Sequence, residues 1–227
     1  MDFKHKAKVP WFSMLMYSIK HRGVGNTCLM GWKEWRKERQ LGIRTFGAQA
    51  PDELSIEAYS KMGGHLYQPT SSVIFEKAMN ALPFNFDDKV FLDIGSGKGR
   101  ALILAAEAGF KKVIGIEYAS ELNDVAYVNV ETVKSKFPST EFELHEGDAL
   151  RFDIDKEVDV IYLFNPFDEE TISKLAVRLK PVFEQDKKVY LVYVHPIHYS
   201  AFEEKFGQPS SIITNSKGIA DVAVFTN

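Results

Sequence analysis

The segment 90–100, which reads VFLDIGSGKGR, constrains this chain more than any other. An apolar run ends at Asp93, the three glycines Gly95, Gly97 and Gly99 alternate with other residues, and a helix-forming run begins at once. This order predicts a buried strand, a tight turn and a helix whose N-terminus faces the space over the turn. Glycine is needed where φ is positive or where a ligand must approach the main chain closely. The segment therefore predicts a site for a nucleotide-like ligand.

Spacing excludes two common glycine loops. A phosphate-binding P-loop has a glycine, four further residues and then Gly-Lys-Ser/Thr. Aligning its Gly-Lys pair on residues 97–98 places Leu92 at the first glycine and Gly99 at the hydroxyl residue. A dinucleotide loop reads Gly-x-Gly-x-x-Gly, and its third glycine would fall on Arg100. The pattern thus disfavours a ligand that is bound mainly through phosphate.

The loop, an acidic residue followed by Gly-x-Gly-x-Gly, resembles motif I of class I S-adenosylmethionine-dependent methyltransferases. In that family the loop passes under the amino-acid and ribose portions of the cofactor. The resemblance implies that Asp93 orients the loop and reaches the methionine ammonium. It also implies that the backbone approaches the cofactor at Gly95, Ser96, Gly97 and Gly99.

Two later strand ends extend the resemblance. Glu117 ends the predicted strand 111–117. In Rossmann-like folds a carboxylate about 20 residues past the glycine loop accepts hydrogen bonds from ribose hydroxyls. Asp148 and Ala149 follow the next predicted strand, and they resemble the methyltransferase position that binds the adenine amino group beside an apolar contact.

The hydrophobic segment 158–164 stops at Asn165-Pro166 and resembles motif IV, which lies beside the transferred methyl group. In amino-methylating relatives, Asn/Asp-Pro-Pro-aromatic presents an amide and a backbone carbonyl to an NH₂ group. The Asn-Pro pair favours a nitrogen acceptor. Here Phe167 and Asp168 replace the last two residues of that motif, which argues against an adenine- or glutamine-specific pocket. The catalytic residues implied by the resemblance are Asn165, Pro166 and Phe167, and Asn165 is also an expected cofactor contact.

A general base is needed only if the nucleophile arrives protonated. Asp168, His195 and Tyr199 are candidates because they follow strand ends, where open α/β sheets bind ligands. The alternative for each is a surface or supporting residue. The six histidines and single cysteine show no zinc spacing, so no metal is predicted.

Strand and helix patterns alternate along the chain, with strands near 89–94, 112–117, 141–146, 158–164 and 187–194. Such alternation predicts a parallel sheet that is covered by helices on both faces. Residues 211–215 and 220–226 read as two strands joined by a short turn. The predicted fold is therefore α/β, a Rossmann-like, doubly wound and mostly parallel seven-stranded sheet with a C-terminal antiparallel hairpin, as in the methyltransferase fold.

The segment Tyr67-Gln-Pro-Thr70, taken together with 93–100, 113–117 and 163–167, resembles a small bacterial group of class I methyltransferases of undefined substrate, over about residues 60–227. The resemblance implies that Tyr67 and Thr70 lie over the methionine end of the cofactor. The alternative is a packed aromatic ring and a helix cap, because a helix with hydroxyl caps is predicted from Thr70 to Ala81.

Charge is unevenly spread along the chain. Residues 1–44 hold ten Lys/Arg and three acids, whereas the remainder holds eighteen and twenty-eight, which gives the net charge of −3. We expect a basic, aromatic-rich helical segment or lid over 1–60, with a short amphipathic helix around Trp32 and Trp35, and a cofactor-binding domain over 61–227. A basic, aromatic segment can contact nucleic acid or an anionic membrane. The favoured alternative is that Trp11, Phe12, Met14, Leu15 and Tyr17 cap the catalytic domain, with the lysines facing water.

The sequence predicts methyl transfer from S-adenosylmethionine to a protein side chain or small molecule, with nitrogen favoured as acceptor. The single Cys28, the lack of a long apolar run and the lack of a signal cleavage site favour the cytoplasm. Two other functions stay open. One is an aminopropyl-type transferase on the same fold, and the other is a non-catalytic module that docks on nucleic acid or membrane through residues 1–44. The oligomeric state is left open.

Overall fold

The computed structural model describes residues 23–46 and 67–227, and these contain one seven-stranded sheet of order β3-β2-β1-β4-β5-β7-β6. All neighbouring pairs from β3 to β5 are parallel, whereas β7 is antiparallel to both β5 and β6. The predicted, mostly parallel sheet with a C-terminal antiparallel hairpin is confirmed. The strands are β1 (Val90–Ile94), β2 (Lys112–Glu117), β3 (Glu141–Glu146), β4 (Val160–Phe164), β5 (Tyr190–Val194), β6 (Ser211–Thr214) and β7 (Ala220–Thr226).

Helices cover both faces of the sheet, as the alternation predicted. Side chains of a strand point alternately to the two faces, so Phe91 of β1 packs with α2 and α3 while its neighbour Leu92 packs with α5 and α6. Asp93 lies on the face of Phe91, at the end of a strand that is buried throughout. The helices described are α1 (Val24–Leu41), α2 (Ser72–Met79), α3 (Arg100–Ala108), α4 (Ser120–Val133), α5 (Glu169–Phe183) and α6 (Ser200–Phe206).

Helix α2 is shorter than the predicted 70–81, and the prediction of a hydroxyl cap is wrong. Ser71 makes no capping hydrogen bond with its side chain. Instead, the hydroxyls of Ser71 and Ser72 both donate to Glu34 Oε1, at 3.2 and 2.7 Å. The same carboxylate accepts the backbone N–H of Ser72 at 2.9 Å. A carboxylate is a stronger acceptor than a hydroxyl, and negative charge is favourable at a helix N-terminus, so Glu34 of α1 serves as the cap.

Helix α1 has 18 residues and is longer than the short helix predicted around Trp32 and Trp35. The side that it turns towards the protein is the reverse of the usual one for an amphipathic helix. The acidic residues Glu34 and Glu38 are buried, whereas Trp32 and Trp35 are exposed. The expected amphipathic helix therefore exists, but its acidic residues face the protein and its tryptophans face outward.

The buried side chain of Arg100 explains this reversal. Its guanidinium forms an ion pair with Glu34, and Nη1 lies 3.6 Å from Glu38 Oε1. Nη1 also donates to Thr45 Oγ1 at 2.8 Å, and Nε donates to the carbonyl of Thr70 at 2.9 Å. Buried charges are tolerated only when they are paired and hydrogen-bonded. One arginine at the start of α3 thus joins α1 to the segment ahead of α2.

The predicted boundary between a segment 1–60 and a domain 61–227 falls among residues that the structure does not describe, so the division stays a prediction. Within the described ranges, no helix is long and apolar enough to cross a membrane.

Replacement of Arg100 by Met is expected to lower the free energy of unfolding by about 3–5 kcal/mol, because Glu34 then keeps a buried charge without its counter-charge. The double replacement Arg100→Met with Glu34→Gln is expected to cost less than the sum of the two single changes, since the two groups interact directly. Urea unfolding measured by circular dichroism tests this; strict additivity would contradict the ion pair.

Candidate functional site

A first cleft lies at the carboxyl ends of β1 and β4 and has a volume of about 500 Å³, which includes solvent at its mouth. Ligand sites in open α/β sheets occur at this edge. The cleft is lined by Tyr67, Gln68, Pro69, Thr70, Asp93, Gly95, Ser96, Arg100, Ala101, Glu117, Tyr162, Phe164, Asn165 and Pro166.

A second cleft of about 420 Å³ lies beside the first, and both are lined by Gly95 and Glu117. Because the two clefts share these residues, one extended ligand can lie across the glycine loop and occupy both. The other residues that line the second cleft are Ile116, Tyr118, Gly147, Asp148, Ala149, Leu150, Phe167 and Thr171.

Glu117 holds the glycine loop in place. Its Oε2 accepts the backbone N–H of Gly97 at 2.8 Å, and its Oε1 accepts that of Ala119 at 2.9 Å. Burial raises the pKa of this carboxyl, and hydrogen bonds from the backbone oppose the rise. A carboxylate can accept about four hydrogen bonds, so Glu117 retains capacity for the hydroxyls of a ligand.

Asp93 is a buried carboxyl group that faces the first cleft. Within residues 23–46 and 67–227, no donor hydrogen-bonds its carboxylate. Burial, and to a smaller extent the nearby charge of Glu117, raise the pKa of Asp93 well above its usual range. A buried carboxylate without a donor favours a cationic ligand, because the cation would supply the missing charge and hydrogen bonds.

The loop between β1 and α3 is tightly enclosed. At Gly97, where φ is 54°, a Cβ atom would overlap the ring of Tyr67. At Gly95, where φ is 79°, a Cβ atom would lie 2.7 Å from Pro166 Cβ. The hydroxyl of Ser96 is buried in the same loop and has no hydrogen-bond partner among the described residues. Both glycines are therefore required by close approach as well as by conformation.

Tyr67 and Thr70 both line the first cleft, and both are anchored to the protein. Tyr67 donates its hydroxyl hydrogen to the carbonyl of Thr45 at 2.9 Å. Thr70 Oγ1 lies 2.7 Å from the hydroxyl of the buried Tyr162. The packed-aromatic alternative for Tyr67 thus describes its surroundings, and a contact of Tyr67 with a cofactor stays a prediction.

Asp148, Ala149 and Phe167 all line the second cleft. Asp148 Oδ1 accepts the backbone N–H of Leu150 at 2.9 Å, which fixes the turn after β3. Phe167, which the sequence placed with the catalytic residues, lies on this side and not in the first cleft. A catalytic role for Phe167 stays a prediction.

Asn165 and Pro166 line the first cleft directly after β4. Asn165 has a φ of 41°, which is uncommon for a residue other than glycine. Its Oδ1 accepts the hydroxyl hydrogen of Tyr193 at 2.8 Å. Burial raises the pKa of Tyr193 to about 12, so it remains a donor at neutral pH. No sequence pattern indicates Tyr193 as a site residue, because its strand is continuously apolar.

The three candidate bases do not converge. Asp168 caps α5, because its carboxylate accepts the backbone N–H of Thr171 at 2.9 Å. His195 has a φ of 47°, and its ring packs against Phe164 with 5.2 Å between centroids. Tyr199 packs on the core beside α6. None of the three lines either cleft. In the described part of the chain, no group of three or more His, Cys, Asp or Glu side chains could hold a metal ion.

Comparison with known proteins identifies a related domain. Residues 91–184 match the family model described as a methyltransferase domain. Among curated proteins, the histone-arginine methyltransferase CARMER of Drosophila willistoni is 26% identical over 130 residues, which cover 54% of this chain and 24% of that protein. The match thus spans about a quarter of the length of these curated relatives.

Solved structures show the same fold. An RNA methyltransferase from Salinibacter ruber, in complex with S-adenosyl-L-homocysteine, has a TM-score of 0.54 and 22% identity, covering 70% of this chain and 93% of that one. A geranyl diphosphate C-methyltransferase from Streptomyces coelicolor A3(2) has a TM-score of 0.51 and 11% identity, covering 69% and 76%. These two neighbours are named for unrelated acceptors, so the fold does not determine the acceptor.

Replacement of Gly97 by Ala is expected to lower the free energy of unfolding by about 1–3 kcal/mol, because the new Cβ overlaps the Tyr67 ring. Adding Tyr67→Leu is expected to restore part of the loss. Gly109→Ala is the matched control: φ there is also positive, at 99°, but nothing lies within 4 Å of the added Cβ. Equal losses at the two glycines in urea unfolding would show that strain alone is responsible.

Replacement of Asp93 by Asn is expected to raise the thermal stability of the ligand-free protein at neutral pH. The folded-state pKa lies above the ordinary value of 3.8, so the folded state binds the proton more tightly than the unfolded chain. The free energy of unfolding of the wild-type protein therefore increases as pH falls from the raised pKa of Asp93 towards 3.8. The Asp93→Asn variant lacks this increase, because its amide does not take up a proton in this range.

Asp159 is a matched control for the Asp93 measurement. It is also buried, but it accepts the Val90 N–H at 2.8 Å and lies 3.0 Å from Lys187 Nζ. Asp159→Asn is therefore expected to lower stability. A lower melting temperature for Asp93→Asn would show that its carboxylate is compensated in the ligand-free protein.

Proposed function

We propose that this chain, whose residues 91–184 match a methyltransferase domain and whose fold is shared with a methyltransferase, binds S-adenosylmethionine across both clefts and methylates a nitrogen acceptor. The observation that carries the proposal is the meeting of the two clefts at Gly95 and Glu117. One cleft presents an uncompensated carboxylate, and the other presents apolar and aromatic walls. This matches a ligand with a cationic amino-acid end and a planar base.

The residues of the two clefts fit the parts of this cofactor. In the first cleft, Asp93 and the unpartnered hydroxyl of Ser96 suit the methionine ammonium and its neighbouring polar atoms. Glu117, at the junction, suits the ribose hydroxyls. In the second cleft, Asp148 suits the adenine amino group, with Ala149 and Phe167 as apolar contacts.

The chain's task in methyl transfer is mainly one of position. Bound S-adenosylmethionine supplies a methyl group that its sulfonium already activates for displacement. The protein must hold the nucleophile about 3 Å from that carbon and in line with the bond that breaks. Asn165 and Pro166 line the cleft where the methionine end would lie, so we assign the positioning of the acceptor to them.

Nitrogen is favoured as the acceptor atom by the carboxamide of Asn165. Tyr193 donates to Oδ1 and thereby fixes which end of the amide is the oxygen. That oxygen has a second lone pair, so it can still accept a hydrogen from an NH or NH₂ group and orient the nitrogen lone pair. The curated relatives are named for histone arginine, a side chain whose polar atoms are all nitrogen. The acceptor molecule would be a protein side chain or a small molecule.

Calorimetry tests the cofactor assignment. The wild-type protein is expected to bind S-adenosylmethionine and to release protons on binding at mildly acidic pH, because the ammonium lowers the raised pKa of Asp93. Asp93→Asn is expected to lose most of the affinity while gaining stability, so the loss cannot be assigned to unfolding. Tight binding by this variant would contradict the proposal.

Transfer of a radioactive methyl group from the cofactor to a cell extract tests the acceptor. A label on nitrogen is expected to survive alkali, which removes methyl esters. Tyr193→Phe is expected to lower kcat by about tenfold or more and to leave the KM for the cofactor nearly unchanged, because it frees the Asn165 amide without touching the cofactor clefts. Asn165→Ala is expected to lower kcat further. Alkali-labile label, or no effect of either change, would contradict nitrogen transfer at Asn165.

A further inference from the structure

Helix α1 presents a cationic and aromatic surface, which we call the outer face of α1 and define by Trp32, Trp35, Arg36 and Arg39. The spacing of three and four residues places these side chains on one side of the helix. Both indoles are 51% exposed. The guanidinium carbon of Arg36 lies 5.3 Å from the centroid of Trp32, and that of Arg39 lies 5.1 Å from that of Trp35.

No negative charge of the helix faces outward. The two acidic residues of α1, Glu34 and Glu38, are buried against Arg100. Within the described ranges, neither Arg36 nor Arg39 has a carboxylate partner. The outer face therefore combines uncompensated positive charge with two exposed aromatic rings, although the whole chain carries −3.

We propose that the outer face of α1 binds single-stranded nucleic acid. Surfaces that bind single strands combine cationic groups, which contact phosphates, with aromatic rings, on which unpaired bases stack. Trp32 and Trp35 are one turn apart, so two bases of one strand can reach them while Arg36 and Arg39 contact the backbone.

Two other occupants match the face less well. A helix that lies in a membrane surface separates its basic face from its apolar face, whereas here arginines and tryptophans share one face and the opposite face is docked on Arg100. A symmetric dimer through this face would place like charges opposite each other, because the same patch meets itself. A nucleic-acid strand complements both the charge and the aromatic rings. The inference concerns binding alone and does not depend on methyl transfer.

Fluorescence anisotropy with labelled oligouridylate and oligothymidylate tests the proposal on the full chain. We expect Trp32→Ala and Trp35→Ala each to weaken binding by about fivefold or more, through the loss of stacking. Arg36→Gln and Arg39→Gln are each expected to reduce the slope of log affinity against log salt by about 0.7. A dye on Cys28, which is exposed on the same helix and is the chain's single cysteine, is expected to report the bound strand.

Controls separate this surface from non-specific effects. Lys174→Gln with Lys180→Gln removes two charges from the exposed side of α5, and Tyr127→Ala removes an exposed ring from α4. Each is expected to change affinity by less than about twofold, because surface charges away from the site are largely screened by salt. If the tryptophan variants keep the melting temperature of the wild type and, in calorimetry, its affinity for the cofactor, then α1 is still docked.

Three results would overturn the proposal. The first is that the wild-type protein does not bind the oligonucleotides at low salt. The second is that the tryptophan variants bind them as tightly as the wild type, and the third is that duplexes bind as tightly as single strands. Loss of binding to anionic vesicles or to an acidic peptide in the tryptophan variants, without any oligonucleotide binding, would assign the face to a membrane or a protein instead.

Discussion

The buried guanidinium of Arg100 is the interaction on which much of this structure depends. It follows the glycine loop, it holds the carbonyl of Thr70 above the first cleft, and it balances the charges of Glu34 and Glu38. A single group thus connects the loop that would lie under the cofactor with the segment that would lie over it. It also decides the orientation of α1, because its charge makes the acidic side of that helix the inner one.

Stability and binding are opposed at the carboxyl edge of the sheet. Asp93 and Glu117 bring two buried carboxyl groups close together, and burial raises the pKa of both. Glu117 is stabilised by backbone hydrogen bonds, whereas Asp93 has none among the described residues. Functional sites commonly retain such uncompensated groups, since an environment that disfavours a charge binds its counter-charge more strongly.

Local patterns were sufficient to predict the sheet, its terminal hairpin and part of the lining of the two clefts, because strand periodicity and glycine spacing are properties of short segments. The predicted loop residues Gly97 and Gly99 do not line either cleft. The contacts that organise the site could not be predicted in this way. Arg100 and Glu34 are 66 residues apart, and Tyr193 and Asn165 are 28 apart. The inner side of α1 was likewise unpredictable, since glutamates are normally solvated unless a distant residue supplies a buried partner.

The arrangement of the two clefts has a consequence for turnover in the proposed reaction. Asp93, Glu117 and Asp148 would contact the ammonium, ribose and adenine of the cofactor, and the demethylated product carries the same three groups. Such contacts bind donor and product alike, so they contribute affinity without discrimination between the two. In the proposed reaction, the region beside Asn165 would be the part of the site that senses the methyl group. The demethylated product is therefore expected to compete with S-adenosylmethionine for the two clefts. Sustained turnover would require removal of this product.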